Sequence, residues 1–332
     1  MRFFWYYIVN MNNKQVKSKN PDLISIAPML DWTDRHFRYF LRLICHQPVF
    51  YTEMIAAPAL VLGNREKLLS FHPDEHPLIL QVGGSEPRMM GMCARYATDF
   101  GYRGININAG CPSSRVQSGR FGAILMKTPE LVADCVAQMR AKGTLPVSVK
   151  TRICLSDVAG DGFEHLFHFA DLVHQAGCTH LIVHARKAKL NVSPKENRGE
   201  KLPLNYEVVY RLKKSFPDLG ISINGNILSE DDIKTHLNYV DGVMIGRWAY
   251  GNPYALAGVD ATFYQDMHPV LSRVQILEKM IPYIQSYAGK PTDVAHHLLG
   301  LYHGCPNAKK YKQMMAMGDI EQLICWVQEN AD

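Results

Sequence analysis

Residues 104–112 read Gly-Ile-Asn-Ile-Asn-Ala-Gly-Cys-Pro, a short apolar run that ends in an amide, a thiol and a tight turn. Gly110 relaxes the backbone and Pro112 fixes the φ that follows the cysteine, so we expect Cys111 to stand on a stiff turn facing solvent or a ligand. A lone cysteine is more often a small buried hydrophobe. The interpretation of Cys111 therefore depends on the residues that follow the other strands.

Short runs of β-branched or apolar residues recur along the chain, and most gaps between them have the apolar period of a helix. Eight strands that alternate with helices predict an α/β fold, a parallel (β/α)8 TIM barrel. The predicted strands are 23–27, 49–52, 78–82, 104–108, 147–150, 180–184, 221–224 and 242–245. The predicted helices are 86–100, 129–142, 162–176, 207–215 and 230–237, with Ser85 and Ser229 as N-caps.

The strand signals stop after residue 253, and residues 270–329 have helical patterns broken at Gly289-Lys290-Pro291 and Gly304-Cys305-Pro306. We therefore expect a small C-terminal helical domain after the barrel. The predicted division is an N-terminal extension at 1–20, a TIM-barrel domain at 21–260 and a helical domain at 261–332.

Composition narrows the class of protein. A chain of 332 residues with 47% hydrophobic content can bury one large core beside a smaller domain. The eight cysteines form no C-x-x-C pair, which is typical of reduced thiols in an intracellular protein. The apolar run at 3–9 is too short to span a bilayer, and no cleavage site follows it. The net charge of +5 permits a nucleic-acid partner without requiring one.

Polar residues follow nearly every predicted strand, and in a parallel barrel these positions meet at one mouth. The loops after the last two strands contain Gly225 and Gly246, and such loops commonly hold a phosphate, here with Arg247 adding charge. A phosphate in that place, with Gln81, Asn108 and Lys150 on other strand ends, suits a flavin mononucleotide (FMN) lying across the mouth. Lys150 near the ring would stabilise its anionic reduced form.

Several segments carry a family resemblance. They are 27–34 (Ala-Pro-Met-Leu-Asp-Trp-Thr-Asp), 106–113 (Asn-Ile-Asn-Ala-Gly-Cys-Pro-Ser), 184–187 (His-Ala-Arg-Lys), 193–198 (Ser-Pro-Lys-Glu-Asn-Arg) and 296–301 (His-His-Leu-Leu-Gly-Leu). In this order and spacing they resemble the A-type branch of the tRNA-dihydrouridine synthases. The resemblance extends from about residue 23 to residue 312.

The resemblance implies a set of site residues. Cys111 would be the general acid, which agrees with a thiol that is mostly protonated at neutral pH. The implied FMN contacts are Pro28, Met29, Gln81, Lys150, His184, Asn224, Gly225, Asn226, Gly246 and Arg247. The implied tRNA contacts are Asn108, Arg152, Arg186, Lys195, Arg198, Lys309, Lys310 and Lys312.

The implied reaction reduces the C5–C6 double bond of a uridine at position 20 or 20a of a tRNA. A hydride passes from flavin N5 to C6, a proton passes from Cys111 to C5, and NADPH reduces the flavin again. The sequence has no G-x-G-x-x-G fingerprint, so the nicotinamide would visit the open mouth. The uridine must leave its stack to reach this mouth. The same resemblance implies a cytoplasmic enzyme, which we expect to be monomeric.

The sequence departs from the family pattern at two places. Asn307-Ala308-Lys309 stands where family members often have Gly-Ala-Arg, so phosphate attraction remains but the bidentate geometry of arginine is lost. Asn226 stands where a second glycine is usual, which bears on the phosphate loop.

Two other functions remain open from the residues alone. A Schiff-base lyase, similar to an aldolase, would use Lys150 as its nucleophile. A catalytically inactive barrel that binds RNA would need no chemistry from Cys111. A metal face formed by His165, His168, Asp171 and His174 is set aside, because their spacing drifts around the predicted helix, and no metal is expected.

Overall fold

The computed structural model describes residues 22–193, 196–199 and 201–329, without the side chains of Arg115, Arg198 and Ile320. The N-terminal extension predicted at 1–20 lies outside the described residues.

A closed parallel barrel forms the body of the protein and confirms the predicted (β/α)8 fold. The strands are β1 Ile24–Ile26, β2 Val49–Tyr51, β3 Ile55–Ala56, β4 Leu78–Gly83, β5 Gly104–Asn108, β6 Val147–Arg152, β7 His180–His184, β8 Gly220–Asn224 and β9 Gly242–Ile245. They pair in parallel in the order β2-β1-β9-β8-β7-β6-β5-β4, and a β2–β4 pairing closes the ring. The two-residue β3, which was not predicted, pairs with β4.

Helices cover the outside of this barrel. They are α1 Arg35–Arg42, α2 Ala57–Leu62, α3 Arg65–Leu69, α4 Pro87–Asp99, α5 Ser114–Ser118, α6 Pro129–Lys142, α7 Phe163–Gln175, α8 Tyr206–Ser215 and α9 Glu230–Leu237. The five predicted helices are confirmed as α4 and α6–α9. Ser229 caps α9 as predicted, accepting the amide N–H of Asp232 at 3.1 Å. Ser85 was the wrong cap for α4, because the carboxylate of Glu86 accepts the first free N–H groups of that helix.

Alternation along the strands decides which side chains face the lumen of the barrel. In β5, Ile105 and Ile107 join the large core between the strands and the helices, while Asn106 and Asn108 form hydrogen bonds to residues of β4 and β6. Because successive side chains in a strand point to opposite faces, the isoleucines stabilise the outer layer and the asparagines enter the lumen. A smaller apolar cluster fills part of that lumen and consists of Ala27, Val49, Tyr51, Ile79, Ile182 and Met244.

The buried face of helix α1 contains two arginines, so the apolar pattern of its sequence does not reveal that face. Arg38 is buried and pairs with the buried carboxylate of Glu75, its Nε lying 2.7 Å from Oε2. Arg42 is also buried and donates to several backbone carbonyls, including that of Pro48 at 3.0 Å. Each arginine therefore packs inward with several of its N–H groups hydrogen-bonded, which offsets part of the cost of removing charge from water, although Arg42 Nε is buried without a hydrogen-bond partner among the described residues.

The C-terminal region is helical, with breaks at both predicted glycine-proline segments. It contains α10 Arg247–Gly251, α11 Val259–Tyr264, α12 Arg273–Ser286, α13 Thr292–Ala295, α14 Ala308–Met317 and α15 Ile320–Glu329, with 3-10 turns at Pro253–Leu256 and His296–Gly300. It packs on the barrel through α1, where the rings of Tyr39 and Tyr283 stack with centroids 4.2 Å apart. None of the helices among the described residues is long and apolar enough to cross a membrane.

The predicted boundary between residues 260 and 261 falls inside α11. This helix packs against the barrel, since the Tyr264 hydroxyl accepts the amide N–H of Ile24 in β1 at 2.9 Å. The division at this residue stays a prediction.

Candidate active site at the barrel mouth

Strand register brings the predicted site residues close together at the carboxyl ends of β5–β8. Asn108 is paired with Lys150, and Arg152 is paired with His184, which in turn is paired with Asn224. These residues are separated by up to 116 positions in sequence but occupy neighbouring strands. Their side chains therefore meet at the mouth, as expected for this fold.

A cavity of about 180 Å³ opens at this mouth between β1 and strands β6–β9. Its lining includes Pro28, Met29, Lys150, His184, Arg186, Asn224, Gly225, Asn226, Gly246 and Arg247, all of which were predicted site residues. Ala27, Ile227 and Leu228 also line it and were not predicted as site residues, although Ala27 and Ile227 are adjacent to residues that were. The lining combines several cations with two glycines, which suits an anionic ligand.

Lys150 lies on the cavity wall and donates from Nζ to Asn224 Oδ1 at 3.3 Å. Asn224 in turn donates to the carbonyl of Met244 at 2.8 Å, which fixes the orientation of its amide. Burial, with a smaller contribution from the charge of Arg152, lowers the pKa of Lys150 to about 8, and Cys111 opposes the shift. At neutral pH the ammonium is thus still charged, but its proton is held weakly.

His184 is surrounded by cations. Burial, followed by the charges of Arg152, Lys150, Arg186 and Arg247, lowers the pKa of His184 well below its ordinary value. The imidazole is therefore neutral at pH 7, so one ring nitrogen can accept a hydrogen bond while the other donates. It is a polar contact for a ligand and adds no further positive charge.

A chain of amides crosses the lumen below the mouth. Gln81 Nε2 donates to Asn106 Oδ1 at 2.8 Å, and Asn106 Nδ2 donates to Ser148 Oγ at 2.9 Å. Asn108 Nδ2 donates to Gln81 Oε1 at 2.9 Å. Asn106 and Ser148 were not predicted, and the signal that could have found them is the alternation of polar with β-branched residues in β5 and β6. These hydrogen bonds fix the side-chain amides of Gln81 and Asn108, both of which were predicted site residues.

Asn108 also holds the turn that carries Cys111. Its Oδ1 accepts the amide N–H groups of Gly110 at 3.1 Å and of Cys111 at 3.0 Å. On the other side, the carbonyl of Cys111 accepts the N–H of Ala123 at 2.8 Å. The cysteine is partly exposed, whereas the other cysteines of the barrel are buried. These contacts agree with the expected stiff turn and present the thiol at the mouth.

Arg152 lies beneath this turn instead of in the cavity. It is 6% exposed, and it donates from Nε to the carbonyl of Gly110 at 3.0 Å and from Nη1 to the carbonyl of Lys187 at 3.1 Å. A Cβ on Gly110 would lie 3.1 Å from the backbone of Thr151, so the turn and β6 are in close contact. Arg152 therefore braces the Cys111 turn, and its direct contact with substrate stays a prediction.

The loop after β8 requires unusual backbone angles. Gly225 has a φ of 133°, and a Cβ there would lie 2.7 Å from Leu204. The next residue, Asn226, has a φ of 52°, a left-handed conformation that asparagine tolerates better than most residues. Asn307, the other departure from a family glycine, has a φ of 62°. Both asparagines thus occupy left-handed positions where a glycine would be the ordinary choice.

The lysines predicted on the helical region lie outside this cluster, whereas Arg186 is part of the cavity lining. Lys309, Lys310 and Lys312 are exposed on α14. Arg186 reaches from the cavity to the carbonyls of Gly199 and Leu202 and so holds the loop before α8. Lys195 and the side chain of Arg198 lie outside the described residues.

One group of potential metal ligands occurs among the described residues, formed by His46, Asp260 and His268. The Asp260 carboxylate accepts the amide N–H groups of His46 and of Gln47, so its position has a structural reason. The prediction of a protein without a metal stays a prediction.

The parallel barrel has a cationic cavity and a thiol-bearing turn at the same mouth, where TIM-barrel enzymes have their active sites. The protein is therefore a TIM-barrel enzyme whose cavity suits an anionic ligand. Residues 25–325 match the family model described as "Dihydrouridine synthase (Dus)". The chain belongs to the dihydrouridine synthase family. This membership disfavours both the Schiff-base lyase and the inactive RNA-binding barrel.

Curated relatives are similar over nearly the whole chain. A protein of Synechocystis sp. named "tRNA-dihydrouridine(20/20a) synthase" is 48% identical, over 90% of this chain and 89% of its own. Proteins with the same name from Shewanella oneidensis, 48% identical over 92% of each chain, and Escherichia coli, 47% identical over 88% of each, are similar to the same extent. Among solved structures, an old yellow enzyme homologue from Zymomonas mobilis has a similar fold, with a TM-score of 0.53 at 12% identity, over 76% of this chain and 90% of that one.

Proposed function

We propose that this enzyme reduces a uridine of tRNA to 5,6-dihydrouridine, with FMN bound at the barrel mouth and NADPH as the reductant. The observation that carries the proposal is the partly exposed Cys111, held by Asn108 at the mouth that also contains Lys150. The relatives are named for positions 20 and 20a, and their identity to this chain supports the same positions here. The reaction is the addition of a hydride and a proton across the C5–C6 bond.

The residues of the cavity fit FMN. Arg247 and the backbone at Gly225 and Gly246 supply charge and close approach for a phosphate, as the loops after the last two barrel strands commonly do. Neutral His184 and charged Lys150 supply further polar contacts in the same cavity. When bound, FMN supplies the hydride that reaches C6 of the uridine.

The proton comes from the chain itself. The Cys111 thiol donates it to C5 of the uridine, on a turn whose backbone is fixed by Asn108 and Arg152. The side-chain oxygen Oδ1 of Asn108 already accepts two N–H groups, so any contact from this side chain to the base comes from its NH2 group. Excess positive charge at the mouth favours an RNA loop over a neutral substrate.

The direct test is to purify the protein, reconstitute it with FMN and assay dihydrouridine in a tRNA transcript that lacks modifications. We expect flavin absorbance that bleaches with NADPH and returns on adding tRNA, with one product per NADPH consumed. A protein that cannot bind FMN, or whose reduced flavin is not reoxidised by tRNA, would contradict the proposal. Trapping of a carbonyl substrate on Lys150 by borohydride would support the lyase alternative instead.

Gly246→Ala separates cofactor binding from folding. A Cβ at Gly246 would meet Met29 Sδ at 3.6 Å and Ala27 Cβ at 3.8 Å, which are ordinary contacts. We therefore expect an unchanged melting temperature without FMN but FMN binding weakened about tenfold, because the methyl group occupies space needed for close approach of the phosphate. Native FMN affinity in a folded Gly246→Ala protein would place the phosphate elsewhere.

Lys309, Lys310 and Lys312 provide a second region of contact with tRNA. All three are exposed on α14 of the helical region. Changing them to alanine should weaken tRNA binding and reduce the slope of log Kd against log salt by about one per lysine that contacts a phosphate. The matched control replaces Lys142 and Lys214, exposed near the ends of α6 and α8 at the opposite pole of the barrel. An equal change per lysine replaced in the control would point to bulk charge as the cause.

The same proposal includes a cytoplasmic monomer. All eight cysteines are free, which suits a reducing compartment. Size-exclusion chromatography with light scattering tests the oligomeric state.

A further inference from the structure

Two aromatic rings form a stacked pair at the edge of the cavity. The rings of Trp32 and Tyr250 have centroids 4.5 Å apart and planes inclined by 11°. Stacking covers one face of the indole, yet Trp32 is still 38% exposed. The neighbouring Leu30 is 59% exposed. Large apolar side chains open to solvent beside an active site commonly mark a surface that a partner covers.

The pair lies at the junction of two segments that line the cavity. Trp32 is three residues beyond Met29, and Tyr250 is three residues beyond Arg247, and both of these residues line the cavity. A tight turn connects Trp32 to the cavity wall, since its amide N–H donates to the carbonyl of Met29 at 3.1 Å. The amide N–H of Met29 in turn donates to the hydroxyl of Thr33 at 2.8 Å. The indole is thus placed by the same loop that shapes the cavity.

The ring below Trp32 is held from several sides. The Tyr250 hydroxyl lies 3.3 Å from His297 Nδ1, and the Phe37 ring packs against Tyr250 with centroids 5.0 Å apart. His297 belongs to the helical region and lies 3.1 Å from the carboxylate of Asp34 on the barrel. The stack therefore stands where barrel and helical region meet. An RNA that contacts both α14 and the cavity has to cross this junction.

We propose that the open face of Trp32 stacks on an unpaired nucleobase of the tRNA next to the uridine that enters the cavity. The inference rests on the proposed function and adds a binding site for the flanking nucleotide. Every nucleobase offers a π-face, and an aromatic ring that is already fixed loses little entropy on stacking. Extruding the uridine breaks its stacking with a neighbour, and Trp32 provides that neighbour with a replacement.

The test uses three variants of Trp32 and one matched control. Trp32→Ala removes the platform, Trp32→Leu keeps apolar bulk without an aromatic face, and Trp32→Phe keeps a smaller aromatic face. The control is Tyr239→Ala, because Tyr239 is 49% exposed and stacks on Tyr210 with centroids 4.3 Å apart on the outer surface of the barrel. Each protein is loaded with FMN. The measurements are tRNA affinity, KM and kcat for dihydrouridine formation, and the rate of flavin reduction by NADPH without tRNA.

We expect Trp32→Ala and Trp32→Leu to weaken tRNA binding about tenfold and to raise KM similarly. Trp32→Phe should recover most of the affinity, Tyr239→Ala should behave as the native enzyme, and the rate of flavin reduction should be unchanged in all. The proposal is overturned if Trp32→Leu binds tRNA as tightly as the native enzyme does, or if Tyr239→Ala loses as much. If the Trp32 variants lost only the rate of flavin reduction, Trp32 would be a contact for NADPH, and the proposal would also be overturned. Failure of the native enzyme to form dihydrouridine is a separate result, which contradicts the proposed function itself.

Discussion

Cys111→Ala should form dihydrouridine about 1,000-fold more slowly than the native enzyme, within the range usual for loss of a general acid. The thiol is the proton source for C5, and Asn108 and Arg152 hold the backbone of its turn, so removing the sulfur leaves the mouth otherwise intact. FMN binding, tRNA binding and flavin reduction by NADPH should stay near native. The measurement is single-turnover product formation after mixing reduced enzyme with tRNA.

Cys305→Ala is the control for this change, because Cys305 is also partly exposed but lies in the helical region. It should leave the rate of product formation unchanged. Product formed at the native rate by Cys111→Ala would show that the proton comes from another donor. A parallel loss in the control would indicate a general effect of removing thiols.

Lys150→Met should reduce the affinity for FMN and slow the reduction of the bound flavin by about 100-fold, the scale reported for losing one preorganised electrostatic contact. The native ammonium is held by Asn224 and lies among the cations of the cavity. Methionine retains much of the length of lysine without its charge. The measurements are FMN titration and stopped-flow reduction by NADPH. Native values in this variant would exclude Lys150 from the flavin site.

The same lysine predicts a pH dependence of FMN binding. Its pKa of about 8 in the protein without FMN means that it loses its charge as the pH rises from 7 to 9. The affinity for the anionic FMN should therefore fall over that interval in the native protein. The fall should be much smaller in Lys150→Met, and an equal fall in both proteins would assign the titration to another group.

Stability without FMN should show the opposite trend. The ordinary pKa of 10.5 applies in the unfolded chain, so between about pH 8 and pH 10.5 the unfolded state binds more protons than the folded state does. The contribution of Lys150 to the free energy of unfolding therefore rises with pH across this interval. Comparing the native protein with Lys150→Met isolates this contribution from those of other groups.

The barrel was predictable because its strands are short, apolar and bounded by turn residues. All eight predicted strands occur, and α6 spans 129–142, the same range as predicted. Helix α1 was missed because its buried face contains Arg38 and Arg42, whose burial depends on Glu75 and on carbonyls distant in sequence. A local apolar pattern cannot report partners of that kind.

Part of the candidate site was also predictable from the sequence. Residues at strand ends converge by topology, so ten of the predicted residues line one cavity. The bracing position of Arg152 depends on the path of the turn above it. The stacking of Trp32 on Tyr250 depends on the placement of the loop after β1 beside α10, which a local sequence pattern does not show.

The alternation in β5 also has an evolutionary consequence. Ile105 and Ile107 pack outward while Asn106 and Asn108 face inward. Neighbouring positions of this strand are therefore under selection for different properties. Drift among aliphatic residues at the outward positions would shift the melting temperature and leave the chemistry alone. Changes at the inward positions would break hydrogen bonds that fix Gln81 and Asn108, so they would alter the site and lower the melting temperature together.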